Sequence, residues 1–140
     1  WWRDDIYASI SGMSRTTGRE EIVKAGCECI AYQINDVIDA MRKDSEIDIS
    51  QMCVDGGPTR NKYLMQFQSD ISQTEIKIPD AEELSVIGAG YLAGESAGYY
   101  EPDDIYKAIT YNFFETEMPE QERNEKVQGW NEAVEMLLKK

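Results

Sequence analysis

The sequence of 140 residues predicts a single α/β domain. Apolar residues recur at every second position in some segments and at every third or fourth position in others. These segments follow in the order strand, helix, strand, helix, strand, with only helices after the last strand. The length is sufficient for one ordinary core, and the apolar share of 41% and charged share of 29% are typical of soluble globular proteins. Neither an internal repeat nor a low-complexity tract interrupts the order.

The first two predicted elements are a short strand and a long helix. Residues 6 to 12 carry Ile, Ala or Gly at every second position, which favours a strand. From Arg19 the period becomes three to four residues, and Thr17 or Gly18 is expected to cap the helix. One face of this helix is predicted to pack into the core. It carries Ile22, Val23, Cys27, Ile30, Ile34, Val37, Ile38 and Met41.

The middle of the chain predicts a strand, a helix and another strand. Residues 50 to 54 form a short apolar run, which favours a buried strand. Apolar side chains between residues 63 and 71 then recur at helical spacing. Residues 75 to 79 alternate again, and this predicted strand ends at Pro79, which cannot donate to a sheet.

Three more helices are predicted in the remaining sequence. Residues 84 to 100 form a helix rich in small residues, and Tyr99 and Tyr100 are expected to anchor its end to the sheet. Further helices are predicted at about 102 to 111 and 119 to 138, the last docking through an apolar stripe that includes a tryptophan. Three glycines would weaken the small-residue helix, so they suggest that another backbone packs closely against it. These glycines are Gly88, Gly90 and Gly94.

Charge and composition narrow the function classes. The formal net charge of −13, spread through the chain, argues against a nucleic-acid partner, which requires clustered Lys and Arg. No apolar run approaches the roughly 20 residues of a membrane helix, and we expect no signal peptide. A small anionic ligand stays open, because backbone N–H groups at a helix start hold anions without basic side chains.

The three cysteines and the absence of histidine limit the chemistry further. Cys27, Cys29 and Cys53 are odd in number, and the first two point to different sides of a predicted helix. A zinc site is therefore not expected, and reduced cysteines in a cytoplasmic protein are the plain interpretation. Without histidine, serine–histidine and cysteine–histidine nucleophile systems are excluded.

The stretch VDGGPTRN, residues 54 to 61, is the candidate site. It joins a predicted strand to a predicted helix, and Gly56 and Gly57 stand side by side in it. Taken alone, such a pair is most often a plain turn. The alternative is a ligand contact, because paired glycines permit close backbone approach and the following helix presents unpaired N–H groups.

Four stretches of the sequence are informative when taken together: ISGMSRTTGREEIVKAGCECIAYQINDVIDAM, MCVDGGPTRNKYLMQFQSDIS, ELSVIGAGYLAG and AGYY. They resemble the C-terminal domain of the FGGY family of carbohydrate kinases, and within it the glycerol kinases most. The resemblance runs over essentially the whole chain, and it is densest at IAYQINDVIDAM, at VDGG followed by Asn61, and at LMQFQSDI. Chance agreement over such a series is improbable.

The resemblance implies a ribonuclease H-like (actin-like ATPase) fold that forms the C-terminal, nucleotide-side half of a two-domain kinase. It also implies ATP and Mg²⁺ as cofactors, with Gly56, Gly57, Pro58 and Asn61 against the adenosine and its proximal phosphate. The general-base aspartate of the family belongs to a segment N-terminal to this chain. Residues 1 to 140 are thus expected to hold no catalytic residue and no metal ligand, and to be truncated at the N-terminal end. Asp55 is better explained as a turn or cap residue.

The implied reaction of the longer protein is ATP-dependent phosphorylation of a sugar or polyol, most closely of glycerol to glycerol 3-phosphate. A kinase for another polyol or a ketose such as xylulose is the alternative within the family. A non-catalytic assembly module is the alternative from a different class, because the chain is acidic and lacks the catalytic parts. Self-association into a homo-oligomer is expected for the full-length protein.

Overall fold

The computed structural model describes residues 3, 5–81, 83–101, 103–104, 107 and 109–139. The elements whose bounds lie within the described residues are four α-helices, three β-strands and one short 3₁₀ turn. In chain order they are α1 (Arg19–Ser45), β1 (Gln51–Cys53), the 3₁₀ turn (Gly57–Arg60), α2 (Lys62–Ser72), β2 (Glu75–Pro79), α3 (Leu84–Ser96), β3 (Tyr111–Phe114) and α4 (Glu120–Leu138).

The three strands form one mixed sheet in the order β1-β2-β3. β1 runs parallel to β2, with Met52 opposite Ile76, and β3 runs antiparallel to β2, with Asn112 opposite Ile78. The parallel pair is connected through α2, as a parallel crossover requires. The predicted α/β class is confirmed.

The core lies around α2, which is buried along most of its length. Its apolar side chains pack against Ala31 of α1 and Ile76 of β2, and both of these residues have no exposed surface. Burial of each large aliphatic or aromatic side chain stabilises the fold by roughly 1.5–3 kcal/mol. The contributing α2 residues are Leu64, Met65, Phe67 and Ile71.

Helix α1 begins where the sequence predicts, with Gly18 at its N-cap, but of the eight residues on its predicted packing face only Ile38 is buried. Its buried residues are Ala31, Asn35 and Ile38, and these face α2. Most of the predicted stripe is instead exposed. Helix α1 thus has two faces with apolar residues, the predicted stripe and the face that meets α2. Periodicity alone does not tell which of the two faces packs against α2.

Helix α4 docks through Trp130, as predicted. The indole ring stacks on Tyr32 of α1 at a centroid distance of 5.2 Å. Its N–H donates to the Asp36 carboxylate over 3.0 Å, so the half-buried indole packs its ring on a neighbouring helix and hydrogen-bonds its one polar group.

Two expectations about strands are wrong. Residues 6 to 12 are not a strand, and they find no ladder partner within the described residues; Tyr7 in this segment is 91% exposed. Conversely, β3 (Tyr111–Phe114) is a strand that the sequence does not predict, and its first residue was expected to end the helix at about 102 to 111. It is a strand because its backbone completes the open edge of β2. The rest of the helix expected at 102 to 111 lies partly outside the described residues.

The expectations about the small-residue helix also need correction. Side chains added at Gly88 or Gly90 would meet open space, so none of the described backbone packs against these two glycines. Gly94 is covered by the Tyr100 ring, a side chain rather than a backbone. The Tyr100 ring, just beyond α3, lies against the Tyr91 ring of that helix, with the ring centroids 4.8 Å apart and the planes tilted by 35°. It therefore packs back on the helix instead of anchoring it to the sheet, and Tyr99 is exposed. Within the described part, no helix is both long and apolar enough to cross a bilayer.

Candidate functional site

The candidate turn follows the carboxyl end of β1. The Gly56 carbonyl accepts hydrogen bonds from both the N–H and the hydroxyl of Thr59, at 3.1 Å and 2.7 Å. The Asn61 N–H donates to the Pro58 carbonyl at 3.0 Å and closes the 3₁₀ turn. Pro58, in the first turn, fixes its own φ and lacks the N–H that would be left without a partner there. The turn is therefore held by its own hydrogen bonds.

The two glycines have different reasons to be glycine. Gly56 has a φ of +94°, a conformation that L side chains rarely adopt. Gly57 has no such backbone restriction, and a Cβ added there would find no atom within 4 Å. Gly56 is thus required by the turn itself. Gly57 leaves open space beside the backbone, which a bound molecule can approach closely.

Asn61 connects the turn to α2. Its Oδ1 accepts from the Leu64 N–H at 3.2 Å, an N-cap that satisfies one of the unpaired donors of the helix. Its Nδ2 lies 3.9 Å from the Sγ of Cys27 on α1. The carbonyl end of the Asn61 amide is therefore committed to the fold, and the amino end is the part that faces α1.

Two clefts flank the turn. The first, of about 510 Å³, opens at the carboxyl ends of the parallel strands β1 and β2, the place where α/β sheets bind ligands. Gly56 and Gly57 line it, together with three acidic side chains. These are Asp55, Asp80 and Glu83.

The second cleft, of about 800 Å³, lies between the start of α1 and the start of α2 and is lined by Asn61. Of the four predicted site residues, the structure therefore brings two into one cleft and Asn61 into its neighbour. Pro58 lines neither of these two clefts. A ligand that contacts both Gly57 in the first cleft and Asn61 in the second must lie along the 3₁₀ turn between them.

A polar cluster at the second cleft was not predicted. The Tyr63 hydroxyl donates to the Glu28 carboxylate at 2.5 Å, and Lys24 lies 3.7 Å from the same carboxylate. Burial, with the Glu28 hydrogen bond as the next cause, raises the pKa of Tyr63. Tyr63 and Glu28 are 35 positions apart, so no local pattern indicates their pairing.

The LMQFQSDI stretch has a structural role. Asp70 is 6% exposed, and its Oδ1 accepts from the N–H groups of Glu117 and Met118 at 2.8 Å and 3.0 Å. The Ser69 hydroxyl donates to the Phe114 carbonyl at 3.0 Å. These contacts attach α2 to the link between β3 and α4, so this stretch holds the scaffold behind the turn.

No metal centre is gathered by residues 3, 5–81, 83–101, 103–104, 107 and 109–139, since no group of three or more Cys, Asp or Glu side chains converges there. Cys27, Cys29 and Cys53 are all free thiols. Asp55, at the strand end, is exposed at the edge of the first cleft. Nucleotide contact at Gly56, Gly57, Pro58 and Asn61 stays a prediction.

Comparison with known proteins gives one family. Residues 1–97 match the model of the C-terminal domain of the FGGY family of carbohydrate kinases. Among curated relatives, the glycerol kinase of Natranaerobius thermophilus is 44% identical over 96% of the chain, and that of Bacillus subtilis is 39% identical over 99%. The chain spans 28% of the length of each.

A solved structure of a glycerol kinase has the same fold over nearly the whole chain. The crystal structure of Plasmodium falciparum glycerol kinase with ADP superimposes with a TM-score of 0.88 and 38% sequence identity, covering 98% of this chain and 28% of that one. The β1–turn–α2 scaffold described above thus lies within a fold that a kinase of this kind shares. The chain belongs to the FGGY family of carbohydrate kinases and corresponds to its C-terminal domain.

Proposed function

We propose that the longer protein to which this chain belongs transfers the terminal phosphoryl group of ATP to glycerol, giving glycerol 3-phosphate and ADP. The observation that carries this proposal is the near-complete match of the chain to glycerol kinases, one of them solved with ADP. Since the chain spans 28% of the length of those relatives, the activity is a property of the longer protein.

In this proposal, the chain supplies part of the nucleotide site through Gly56, Gly57, Pro58 and Asn61. The open space beside Gly57 supports close approach of a ligand to the backbone. The lining of the first cleft carries three carboxylates and one guanidinium, that of Arg60, and this acidic balance favours the uncharged adenosine end of a nucleotide over its phosphate end. The Asn61 amino group is a donor for an acceptor on the base or ribose.

The remaining parts of the reaction are assigned outside this chain. The general base is an upstream aspartate, and residues 1 to 140 form the nucleotide-side domain without its N-terminal end. In this proposal, Mg²⁺ is held by the nucleotide phosphates and by groups elsewhere in the longer protein. Phosphoryl transfer depends on positioning and charge around those phosphates. We also propose a cytoplasmic location and a homo-oligomer for the longer protein.

Steady-state kinetics of the longer protein on a panel of polyols and ketoses tests the substrate. The proposal predicts the highest kcat/KM for glycerol, with ATP as phosphoryl donor. A higher kcat/KM for xylulose or another ketose would instead identify the alternative kinase of the same family. Absence of phosphorylation on the whole panel, with ATP and Mg²⁺ present, would contradict kinase function.

A second assay separates the chain from the longer protein. The 140-residue polypeptide alone is expected to phosphorylate no glycerol, because it lacks the base and the main phosphate contacts. Measurable ATP-dependent turnover by the isolated chain would overturn this assignment. Titration with ADP, followed by amide shifts, then tests the nucleotide role: shifts centred on Gly57 and Asn61 support it, and no response at about millimolar ADP favours a module for assembly only.

A further inference from the structure

Asp55 and Gly56 connect strand β1 to the 3₁₀ turn, and they form the only Asp-Gly sequence in the chain. The sequence contains no Asn-Gly. In an Asp-Gly sequence, the backbone nitrogen of the glycine can reach the carboxyl carbon of the aspartate, because glycine has no side chain to shield that nitrogen. The main chain can therefore react with its own side chain at this position.

The peptide group between Asp55 and Gly56 lies between two sets of backbone hydrogen bonds. Before it, the Val54 N–H donates to the Lys77 carbonyl at 3.0 Å, the final described bond of the β1–β2 ladder. After it, the Gly56 carbonyl accepts from the N–H and the hydroxyl of Thr59. Between these points, the Gly56 N–H donates to no described residue. The nitrogen is therefore not held by an acceptor in this part of the structure.

The Asp55 carboxylate is also unrestrained. The residue is exposed, and no described residue donates a hydrogen bond to its side chain. Asp70 is the contrast, because it is buried and its Oδ1 accepts from two backbone N–H groups. Space is available beside the turn, since a Cβ added at Gly57 would meet no atom within 4 Å. Both reacting groups of the Asp-Gly pair can therefore approach each other.

We propose that Asp55 is a site of spontaneous isoaspartate formation in the folded protein. The Gly56 nitrogen attacks Cγ of the protonated Asp55 carboxyl, so that an N–Cγ bond forms and the hydroxyl leaves with the amide proton as water. The product is a cyclic succinimide, and water then opens its ring. Cleavage of the N–Cγ bond restores aspartate, whereas cleavage of the bond between the nitrogen and the main-chain carbonyl carbon gives isoaspartate. Water is the only co-reactant, and nothing is oxidised or reduced.

Isoaspartate at position 55 changes the main chain directly before the turn. The chain then runs through Cβ and Cγ, which adds one methylene group between β1 and Gly56, and the former main-chain carboxyl becomes a charged branch. Gly56 and Gly57 line the first cleft just after this point. If the proposed function holds, modified molecules should bind ADP at least about ten-fold more weakly, because these glycines are displaced. The modification itself does not depend on that function.

Prolonged incubation of the longer protein in neutral buffer, followed by peptide mapping, tests the modification. Electron-transfer fragmentation and methylation by an isoaspartate-specific methyltransferase both identify the product. Asp44 is the internal reference, because it is exposed and precedes the small residue Ser45 but lies in the last turn of α1. We expect at least about ten-fold more isoaspartate at position 55 than at position 44. Asp55→Glu is the matched variant and should give no product, since its longer side chain does not form the five-membered ring.

The same protein unfolded in guanidinium gives the reaction rate without the folded turn. We expect the native rate at position 55 to be at least about one tenth of the unfolded rate. A smaller native rate would overturn the proposal, because it would show that the folded turn blocks the reaction. A native excess over Asp44 of less than about ten-fold would also overturn it.

ADP titration of the incubated protein separates this proposal from the proposed function. Loss of ADP affinity in step with isoaspartate formation, and its recovery after repair by the methyltransferase, would support both. Isoaspartate at position 55 with unchanged ADP affinity would support the modification and contradict nucleotide contact at the turn. Unmodified Asp55 in a protein that binds ADP would overturn the modification alone.

Discussion

The Oδ1 of Asn61 accepts a hydrogen bond from the backbone N–H of Leu64 at 3.2 Å, so a residue assigned to nucleotide contact also caps α2. Its Nδ2 lies on the other side, 3.9 Å from the Cys27 Sγ. The Asn61 side chain therefore serves the fold through its acceptor and through one N–H directed at the Cys27 Sγ, and its second amide N–H is left for a ligand. The two functions are separable by substitution.

Replacement of Asn61 by Asp is predicted to preserve the cap and to remove the donor. Asp and Asn are equally good N-caps, so the free energy of unfolding should change by less than about 0.5 kcal/mol. ADP affinity of the longer protein should fall by about ten-fold, since one hydrogen bond to the ligand is lost. Isothermal titration with ADP and urea unfolding measure the two effects.

Asn61→Ala is the matched comparison, because it removes both the cap and the donor. It should weaken ADP binding as Asn61→Asp does and also lower the free energy of unfolding by about 1 kcal/mol. Unchanged ADP affinity in both variants would remove Asn61 from the nucleotide site while leaving its role as a cap.

Substitution of Asp70 is predicted to destabilise the fold strongly. Asp70→Ala leaves the N–H groups of Glu117 and Met118 without their acceptor, and loss of hydrogen bonds to a buried charged group should lower the free energy of unfolding by about 3 kcal/mol. Glu132→Ala, which removes an exposed carboxylate from α4, should change it by less than about 0.5 kcal/mol. Urea unfolding of both variants checks the difference. A similar small effect for both would contradict the structural role given to Asp70.

The stability of the chain is predicted to fall at alkaline pH. Burial raises the pKa of Tyr32 to about 12, with the charge of Glu28 as the second cause. An unfolded tyrosine ionises near pH 10, so between about pH 10 and 12 Tyr32 keeps its proton in the folded state and has lost it in the unfolded state. The contribution of Tyr32 to the free energy of unfolding is therefore fully present below about pH 10, and it is lost as the pH rises from about 10 to 12.

Tyr32→Phe provides the control for this pH dependence. It retains the ring that stacks on Trp130 but has no proton to lose, so the alkaline slope of the free energy of unfolding should become shallower. The remaining slope includes Tyr63, whose pKa is also raised. Urea unfolding from about pH 9 to 12 measures the slopes. Identical slopes in the two proteins would show that Tyr32 ionises equally easily in both states.

Sequence patterns predicted the elements best where local chemistry determines them. Strand β2 occupies the predicted residues, because the alternation of apolar and polar side chains ends at Pro79. Helix α2 begins directly after its N-cap residue, Asn61. The packing face of α1 was wrong because the helix carries two apolar arcs, and its sequence does not say which one meets α2. β3 was missed because its strand character comes from pairing with β2, a long-range contact.

The candidate site was predictable to a similar extent. The paired glycines indicated the turn, and the resemblance assigned its ligand, but the different conformations of Gly56 and Gly57 follow only from the backbone. The Tyr63–Glu28 pair joins two helices and has no signature in either segment. Contacts between distant residues depend on packing, which periodicity does not report.

The most direct test of the nucleotide assignment is ADP binding by the longer protein carrying Gly57→Ala. A methyl group at Gly57 meets no protein atom within 4 Å, so the free energy of unfolding should change by less than about 0.5 kcal/mol. Gly56→Ala is the contrast, because its φ of +94° should make the substitution destabilising by about 1 kcal/mol or more. We predict that Gly57→Ala raises the Kd for ADP by about ten-fold or more, since the methyl group occupies the space of the ligand. An unchanged Kd for ADP in a stably folded Gly57→Ala protein would contradict the assignment of this turn to the nucleotide site.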